Sequence, residues 1–378
     1  MSNTNGLTNL ESLESIAPLD INTIATPPKP RQQRVKVSRL KIDAGNGRIK
    51  FLANGYFDVI RSIISTVTTP RNTLGAFEWE GTQWLIGADA DVVNDAESRI
   101  EVGLLSGAKI NYFPHMVLGA IASHPTFLDG ATKVKGEKFC KRLIVDIECL
   151  AFARGEELLT KLQTIQRFSK DGMTYEVQWR YFTVHPEGYG AAIVAHRQMK
   201  ELDQHAKQFH ILDIGNGTIT LTTYNCFGNK PLAGIPRSGS GGGVLAILEK
   251  FSEAANYGDH ETIYLDQLRK ALERSIVIED NGSKRYQAIV AGSRNDVGAS
   301  LQVGLRDWKD KHPATRKVLK EVDEALLDGE YVFCCGGGFE IPPIEDFIRA
   351  QFPHSDRLIV LPTPGTISLR ALEEIKNG

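Results

Sequence analysis

The stretch His210-Ile-Leu-Asp-Ile-Gly-Asn-Gly-Thr-Ile-Thr-Leu-Thr-Thr-Tyr224 predicts a strand, a tight glycine turn and a second strand. An apolar run leads to one carboxylate, Asp213, at the start of the turn. Gly215 and Gly217 lack a Cβ, so they permit positive φ angles and leave the backbone amides open to a ligand. Alone, this stretch is also the common pattern of an ordinary β-hairpin, because Asn-Gly between apolar runs is a strong hairpin signal.

The same pattern occurs a second time, earlier in the chain. Asp43-x-Gly45-Asn46-Gly47-x-Ile49 matches Asp213-x-Gly215-Asn216-Gly217-x-Ile219 residue for residue. An alternating strand, 35–43, leads into this earlier copy as an apolar strand leads into the later one. A repeat of a whole supersecondary unit is far less expected by chance than one hairpin, so it indicates two similar half-molecules.

Length and composition set the class of protein. At 378 residues the chain is long enough for two domains, and its 42% hydrophobic and 24% charged residues are typical of globular proteins. The net charge of −2 gives no support for direct nucleic-acid binding, although contact with DNA through a partner stays open. We expect no membrane span, because no apolar run approaches the roughly 18 residues that a membrane helix needs.

The cysteines and the N-terminus bear on the compartment. Five cysteines without paired spacing do not predict a disulfide framework or a zinc site, and no signal peptide is evident. We therefore expect a reduced, cytoplasmic protein. Residues 1–34 are rich in Asn, Thr, Ser and Pro, which predicts a disordered tail.

A third glycine turn follows near the end of the chain. Tyr331-Val-Phe-Cys-Cys-Gly-Gly-Gly-Phe339 predicts a buried strand that ends in three glycines, Gly336, Gly337 and Gly338. Such a bare backbone at the carboxyl end of a strand suits close approach of a planar or phosphorylated ligand. The glycine-rich stretch 235–243 could be a similar ligand contact or a plain linker.

Two hairpins that face each other across a cleft could hold a polyphosphate between their backbone amides. Their carboxylates, Asp43 and Asp213, would then hold Mg²⁺ and its waters. Lys50 leaves the first hairpin and could offset phosphate charge, whereas Thr220 has the equivalent place in the second. The alternative for Lys50 is a solvated strand residue. The chain contains no GxxxxGK[ST] motif, so a P-loop is not the phosphate site.

Five motifs, in their order along the chain, resemble those of the actin, Hsp-type chaperone and sugar-kinase superfamily. They are the first phosphate motif (Asp43 to Lys50), the first connecting segment (His185 to Ala192), the second phosphate motif (Asp213 to Thr218), the adenosine motif (Cys335 to Gly338) and the second connecting helix (Gly365 to Leu372). Within the superfamily, 84–90 and 362–365 are most similar to the bacterial and archaeal actin-like proteins of the ParM/StbA type.

The resemblance implies an α/β, actin-like (ribonuclease H-like) fold with duplicated domains and a nucleotide cleft between them. The tail would occupy 1–34, domain I 35–195 and domain II 196–364, and a C-terminal helix, 365–378, would return to domain I. It also implies a slow, assembly-stimulated ATP hydrolase that uses ATP and Mg²⁺, with GTP also compatible because backbone glycines read a purine poorly. The expected partners are further copies of the chain in filaments and a DNA-bound adaptor for plasmid segregation.

The resemblance also assigns roles to individual residues. Glu187 would position the hydrolytic water, and Asp213 would hold the metal or that water. Asp43 and Asp213 would be the metal ligands, acting through water. The nucleotide contacts would be Asp43, Gly45, Asn46, Gly47, Lys50, Gly215, Asn216, Gly217, Thr218, Arg269, Lys270, Gly336, Gly337 and Gly338.

Some of these assignments depart from the pattern or have alternatives. Asn216 stands where Gly or Ser is usual, and the match of Arg269 and Lys270 is loose. Glu187 could instead be a loop carboxylate that faces water. At the level of function, the alternatives are a small-molecule kinase of the same superfamily, a nucleotide-dependent scaffold without filaments, and a member that binds nucleotide without hydrolysing it.

Overall fold

The computed structural model describes residues 36–68, 71–92, 99–104, 108–151, 155–203, 205–228, 230–233, 237–255, 262–280, 283–290, 293–352 and 356–374. The predicted tail, 1–34, lies outside these residues. The described chain forms two lobes, each built on its own β-sheet. None of the described helices is long and apolar enough to cross a membrane.

The described part of the first lobe contains eleven strands and four α-helices. The strands are β1 (Val37–Ala44), β2 (Arg48–Ala53), β3 (Tyr56–Arg61), β4 (Ile63–Val67), β5 (Phe77–Trp79), β6 (Thr82–Ile86), β7 (Arg99–Glu101), β8 (Thr132–Lys133), β9 (Cys140–Leu150), β10 (Arg167–Lys170) and β11 (Met173–His185). The helices are α1 (Ala88–Asp91), α2 (Ala108–Asn111), α3 (Phe113–Ser123) and α4 (Gly155–Gln163), with 3-10 turns at Val102–Leu104 and Phe127–Gly130.

All these strands belong to one sheet, in the order β3-β2-β1-β9-β11-β10-β5-β6-β4-β7 with β8 beside β9. β2 is antiparallel to β1, whereas β9 is parallel to both β1 and β11. The carboxyl ends of β1, β9 and β11 therefore meet at the edge that carries the first glycine turn. Helix α3 is buried along its whole length against this sheet, as expected for a helix that is apolar on every face.

The second lobe follows α5 (Tyr189–Leu202). Its strands are β12 (Gln208–Ile214), β13 (Thr218–Asn225), β14 (Leu232–Ala233), β15 (Arg237–Ser240), β16 (Ile276–Asp280), β17 (Ser283–Val290), β18 (Ser293–Asp296), β19 (Tyr331–Cys335) and β20 (Leu358–Val360). Its helices are α6 (Val244–Ala255), α7 (Thr262–Glu273), α8 (Gly298–Lys311), α9 (Pro313–Leu327) and α10 (Pro342–Gln351), with a 3-10 turn at Gly337–Glu340. The chain then continues into α11 (Ile367–Arg370) and a 3-10 turn at Ala371–Glu374.

The sheet of the second lobe repeats the arrangement of the first. Its order is β14-β13-β12-β19-β20, with β15 beside β13, and β16 to β18 form a separate small sheet. β13 is antiparallel to β12 and β19 is parallel to it, as β2 and β9 are to β1. The internal repeat predicted from the two glycine turns is therefore confirmed at the level of strand pairing.

Helices α5 and α11 connect the two lobes and touch each other. Ala191, Ala192 and Ala195 of α5 are buried in one apolar cluster with Ile211 and Phe333 of the second lobe. A Cβ on Gly190 of α5 would overlap the carbonyl oxygen of Ser368 in α11, so only glycine permits this close approach.

The C-terminal helix is shorter than predicted. An α-helix was expected over 365–378, but the structure forms only the short α11 and then the 3-10 turn, while 375–378 lie outside the described residues. Leu369 and Leu372 both pack on Leu52 and Leu150 of the first lobe. Leu369 lies in α11 and Leu372 in the 3-10 turn, and in both helix types side chains three positions apart lie on the same side, which brings both leucines to this cluster.

Candidate functional site

The two predicted glycine turns meet between the lobes. A Cβ on Gly47 would lie 2.7 Å from Cγ of Asn216, and a Cβ on Gly217 would lie 3.2 Å from Nδ2 of Asn46. Each asparagine therefore covers a glycine of the opposite turn. Bulk at Asn216, where Gly or Ser is usual, is accommodated by this contact.

A cleft of about 880 Å³, partly open to solvent, lies beside the two turns. Its walls include most of the residues predicted as site residues: Asp43, Gly45, Asn46, Gly47, Lys50, Glu187, Asp213, Gly215, Asn216, Gly217, Thr218, Arg269, Gly336 and Gly337. Gly338 does not line it, because this residue packs against Ile214. The side chain of Lys270 lies outside the described part of the chain.

The first hairpin pairs its carboxylate with a cation. Asp43 and Lys50 lie opposite each other in the β1–β2 register, and Nζ of Lys50 donates to Oδ2 of Asp43 at 2.9 Å. Burial alone lowers the pKa of Lys50, but the Asp43 carboxylate, with Asp213 and Glu340 farther away, raises it overall. Lys50 is not a solvated strand residue, since only 18% of its side chain is exposed.

The second hairpin has no such cation. Asp213 lies opposite Thr220 in the β12–β13 register. Burial and the negative charge of Glu187 raise the pKa of Asp213 to about 6, an effect that Lys50 partly offsets. The thiol of Cys335 also donates a hydrogen bond to Asp213, which acts in the opposite direction to burial.

Glu187 points into the cleft and is held there by a lysine. It lies in the turn before α5, and its Oε1 accepts a hydrogen bond from Nζ of Lys109 at 2.6 Å. Only 24% of the Glu187 side chain is exposed, so this turn residue is partly buried and paired in the cleft rather than fully solvated. Burial lowers the pKa of Lys109, but Glu187 and Asp43 outweigh it and raise the pKa.

Ion pairs join the two lobes at the other end of the cleft. Arg48 of the first lobe donates to Glu273 at the end of α7 and, at 3.3 Å, to Glu340 beside the third glycine turn. Nε of Arg269 also donates to Glu273, at 2.8 Å, while its Nη1 donates to Oδ1 of Asn216. Arg269 therefore connects the second glycine turn to α7.

Three further residues that no sequence motif singled out line the cleft: Arg48, Lys109 and Glu340. Arg48 lies directly after the first glycine turn, so its position in the repeat could have drawn attention to it. Lys109 and Glu340 carry no comparable signal, because neither belongs to a repeated or spaced pattern.

The donor set fits a magnesium ion. Mg²⁺ is usually bound by one or two carboxylates together with waters and substrate phosphates, rather than by a cage of protein ligands. Asp43 and Asp213 offer such a pair, and no cluster of three metal-ligating side chains exists among the described residues. Burial and, after it, the negative charges of Glu187 and Asp43 raise the pKa of Asp213, and a bound cation would favour its ionised form.

Comparison with known proteins finds solved structures of similar fold but no similar sequence. No protein-family profile and no curated protein sequence matches the chain. Several solved structures match about nine tenths of it. An archaeal actin homolog in complex with ADP is 14% identical, covers 90% of this chain and 100% of its own, and has a TM-score of 0.57.

Two ParM structures are similar to the same extent. A ParM filament from Clostridium botulinum is 14% identical over 90% of this chain and 100% of its own, at a TM-score of 0.60. ParM from Bacillus thuringiensis with AMPPNP is 13% identical over the same shares, at a TM-score of 0.56. Together with the duplicated sheets, these matches show that the protein has an actin-like fold of the ParM type.

Proposed function

We propose that the protein is an ATP hydrolase that binds ATP and Mg²⁺ in the cleft between its lobes and assembles into filaments. The observation that carries the proposal is the meeting of two Asp-bearing glycine turns at one cavity, with a third glycine turn on the same wall. Structures of similar fold include an archaeal actin homolog with ADP and a ParM with AMPPNP, which supports a nucleotide as the ligand.

Different residues of the cleft would contact the phosphates, the metal ion, and the ribose and base. Backbone amides of 45–47 and 215–217 would contact phosphate oxygens, and Lys50 would add positive charge. Asp43 and Asp213 would hold Mg²⁺ through its waters, and the ion would neutralise charge on the phosphates. Arg269, Gly336 and Gly337 would lie along the ribose and base. Backbone glycines do not distinguish adenine from guanine, so GTP would be a second substrate.

Hydrolysis would depend on how well a water molecule is held near the terminal phosphate. Glu187 is the carboxylate of the cleft that can accept a proton or a hydrogen bond from that water. Phosphoryl transfer depends mainly on positioning and on electrostatic stabilisation, so a slow basal rate is compatible with this site.

Assembly would couple to this chemistry. A ParM filament from Clostridium botulinum has a similar fold, which supports self-association of this chain into filaments. A neighbouring subunit that presses on the cleft would align water near Glu187 and Asp213, and the nucleotide state would set filament lifetime. We further propose that the filaments lie in the cytoplasm and segregate plasmid DNA through a DNA-bound adaptor.

The proposal is tested by measuring light scattering and phosphate release after ATP and Mg²⁺ are added to the purified full chain. We expect both signals to rise, electron micrographs to show filaments, and EDTA to abolish phosphate release. Absence of assembly at tens of micromolar protein, across salts and with ATP or GTP, would contradict the filament. Turnover that rises only with an added metabolite would favour a small-molecule kinase instead.

A further inference from the structure

Lys109 lies in the cleft but belongs to no glycine turn. It is part of α2, a single helical turn immediately before the buried helix α3 of the first lobe. Its partner Glu187 lies before α5, which packs on the second lobe. The 2.6 Å contact between Nζ of Lys109 and Oε1 of Glu187 therefore joins segments that are far apart in the chain.

The charges around this contact are not balanced without Lys109. The cleft is lined by the carboxylates of Asp43, Glu187, Asp213 and Glu340, and Asp213 is repelled by both Glu187 and Asp43. Lys50 is engaged by Asp43 at 2.9 Å, so it does not serve Glu187. Among the described residues, Lys109 is the cation in contact with Glu187.

The contact also leaves the second carboxylate oxygen of Glu187, Oε2, available to bind water. It uses Oε1, and no hydrogen bond from a described residue reaches Oε2. A carboxylate that is held by one oxygen keeps a defined direction for the lone pairs of the other. This is the arrangement that a group needs in order to orient a water molecule.

We propose that Lys109 is a positioning residue for nucleotide hydrolysis, which holds Glu187 so that its second carboxylate oxygen orients the attacking water. The inference rests on the proposed function. When an anionic phosphate chain enters, it repels Glu187, and the ammonium of Lys109 offsets that repulsion. Without Lys109, Glu187 would turn away from the terminal phosphate, and the water would lose its acceptor.

A purely structural ion pair would behave differently. Pairs that are partly exposed contribute little to stability, and their loss does not act on a chemical step. A positioning role instead predicts a lower turnover number with nucleotide binding retained, because the lost interaction matters mainly in the transition state.

The test compares Lys109→Met, Lys109→Arg and the control Lys250→Met in the full chain. Lys250 makes a similar contact, 2.8 Å to Glu253, on the surface of α6 outside the cleft. Single-turnover ATP hydrolysis is measured in the sedimented assembled fraction, and the Kd for a non-hydrolysable ATP analogue is measured alongside. Thermal unfolding of each variant is recorded as well.

We expect Lys109→Met to hydrolyse ATP about 100-fold more slowly, with the analogue Kd changed less than about fivefold. Lys109→Arg restores most of the rate because it keeps the charge, and Lys250→Met equals the wild type. Wild-type turnover in Lys109→Met overturns the inference, as does a loss of rate matched by an equal loss of analogue binding or of folding. A wild-type chain without turnover contradicts the ATP hydrolase itself, which is a different result.

Discussion

The two glycine hairpins share a backbone and differ in charge. In each, an incoming strand ends in an aspartate, an Asn-Gly turn follows, and the outgoing strand runs back antiparallel. The first places Lys50 opposite Asp43, whereas the second places Thr220 opposite Asp213. One carboxylate is therefore paired with an ammonium, and the pKa of the other is raised to about 6 by burial and by Glu187.

The two hairpins also differ in the parallel strand beside each of them, β9 in the first lobe and β19 in the second. Leu150 of β9 lies beside Asp43, and Cys335 of β19 lies beside Asp213. The next residue is Ala151 in the first lobe and Gly336 in the second. Gly336 has φ +97°, and a Cβ on it would overlap Oδ1 of Asp213.

A duplicated backbone can thus carry two different sites. The first hairpin places an ammonium opposite its carboxylate and the second places a threonine hydroxyl there, so the two carboxylates meet different charges. If this division is correct, substitutions in the two hairpins will affect different steps.

The largest effect is expected at Asp213. Asp213→Ala removes the carboxylate without a cation partner, so we expect turnover to fall about 1,000-fold or more while an ATP analogue still binds. Phosphate release and equilibrium binding measure the two quantities. Asp171→Ala, in an exposed turn of the first lobe, is the control. If Asp213→Ala lost analogue binding and turnover to the same extent, the two hairpins would not act in different steps.

The second prediction concerns the glycine that the first repeat lacks. Gly336→Ala would strain a positive φ and overlap both Asp213 and the carbonyl of Ile214, so we expect a loss of about 3–4 kcal/mol in unfolding free energy. Gly172→Ala, at φ +76° with no atom within 4 Å of the added Cβ, should lose only about 1–2 kcal/mol.

Urea denaturation of both variants measures the difference. The matched change in the first repeat, Ala151→Gly, should cost about 1–2 kcal/mol, because it removes a buried methyl group and adds freedom to the unfolded chain. Similar losses for Gly336→Ala and Gly172→Ala would mean that Gly336 is needed only for its backbone angle.

The third prediction is that the two lobes lose stability at different pH values. In the first lobe, burial among the rings of Trp79, Trp84 and Tyr112 lowers the pKa of His115 to about 4. The unfolded chain binds the proton near pH 6.5, so stability is lost as pH falls from about 6.5 to about 4, by roughly 3 kcal/mol. In the second lobe, His210 instead contacts the carboxylate of Glu330 at 2.5 Å.

Hydrogen exchange followed by mass spectrometry, between pH 4 and 7, resolves the two lobes. We expect exchange in α3 and its neighbouring strands to accelerate first on acidification. His115→Leu should remove most of this acid dependence, since the substituted side chain does not titrate. Simultaneous loss of both lobes in the wild type and in His115→Leu would show that other groups control acid unfolding.

The smallest effect is expected at Lys50. Lys50→Met removes the ammonium of the first hairpin, and we expect ATP analogue affinity to fall about tenfold, the value of one charge-assisted hydrogen bond. Turnover at saturating ATP should change less than in Asp213→Ala. Titration calorimetry of Lys50→Met beside Lys250→Met checks this. A greater effect on turnover than on binding would place Lys50 with Asp213 in function.

The two hairpins, the third glycine turn and the repeat that relates the lobes are all predictable from the amino-acid sequence. These features are local, because a tight turn sets which residues face each other, as it does for Asp43 and Lys50 seven positions apart. Together with the two connecting segments, they carry the resemblance that predicts an actin-like fold. The resemblance also predicts an α-helix over 365–378, whereas the structure has α-helix only at Ile367–Arg370 and a 3-10 turn at Ala371–Glu374.

The contacts between distant side chains in the cleft depend instead on how the whole chain packs. Lys109 and Glu187 are 78 positions apart, Arg48 and Glu273 are 225 apart, and Arg48 and Glu340 are 292 apart. No periodicity or spacing predicts such contacts, since they depend on how two separately built lobes pack through α5 and α11. The turns of the cleft are local products of the sequence, and the ion pairs that hold Glu187 and join the lobes are products of packing.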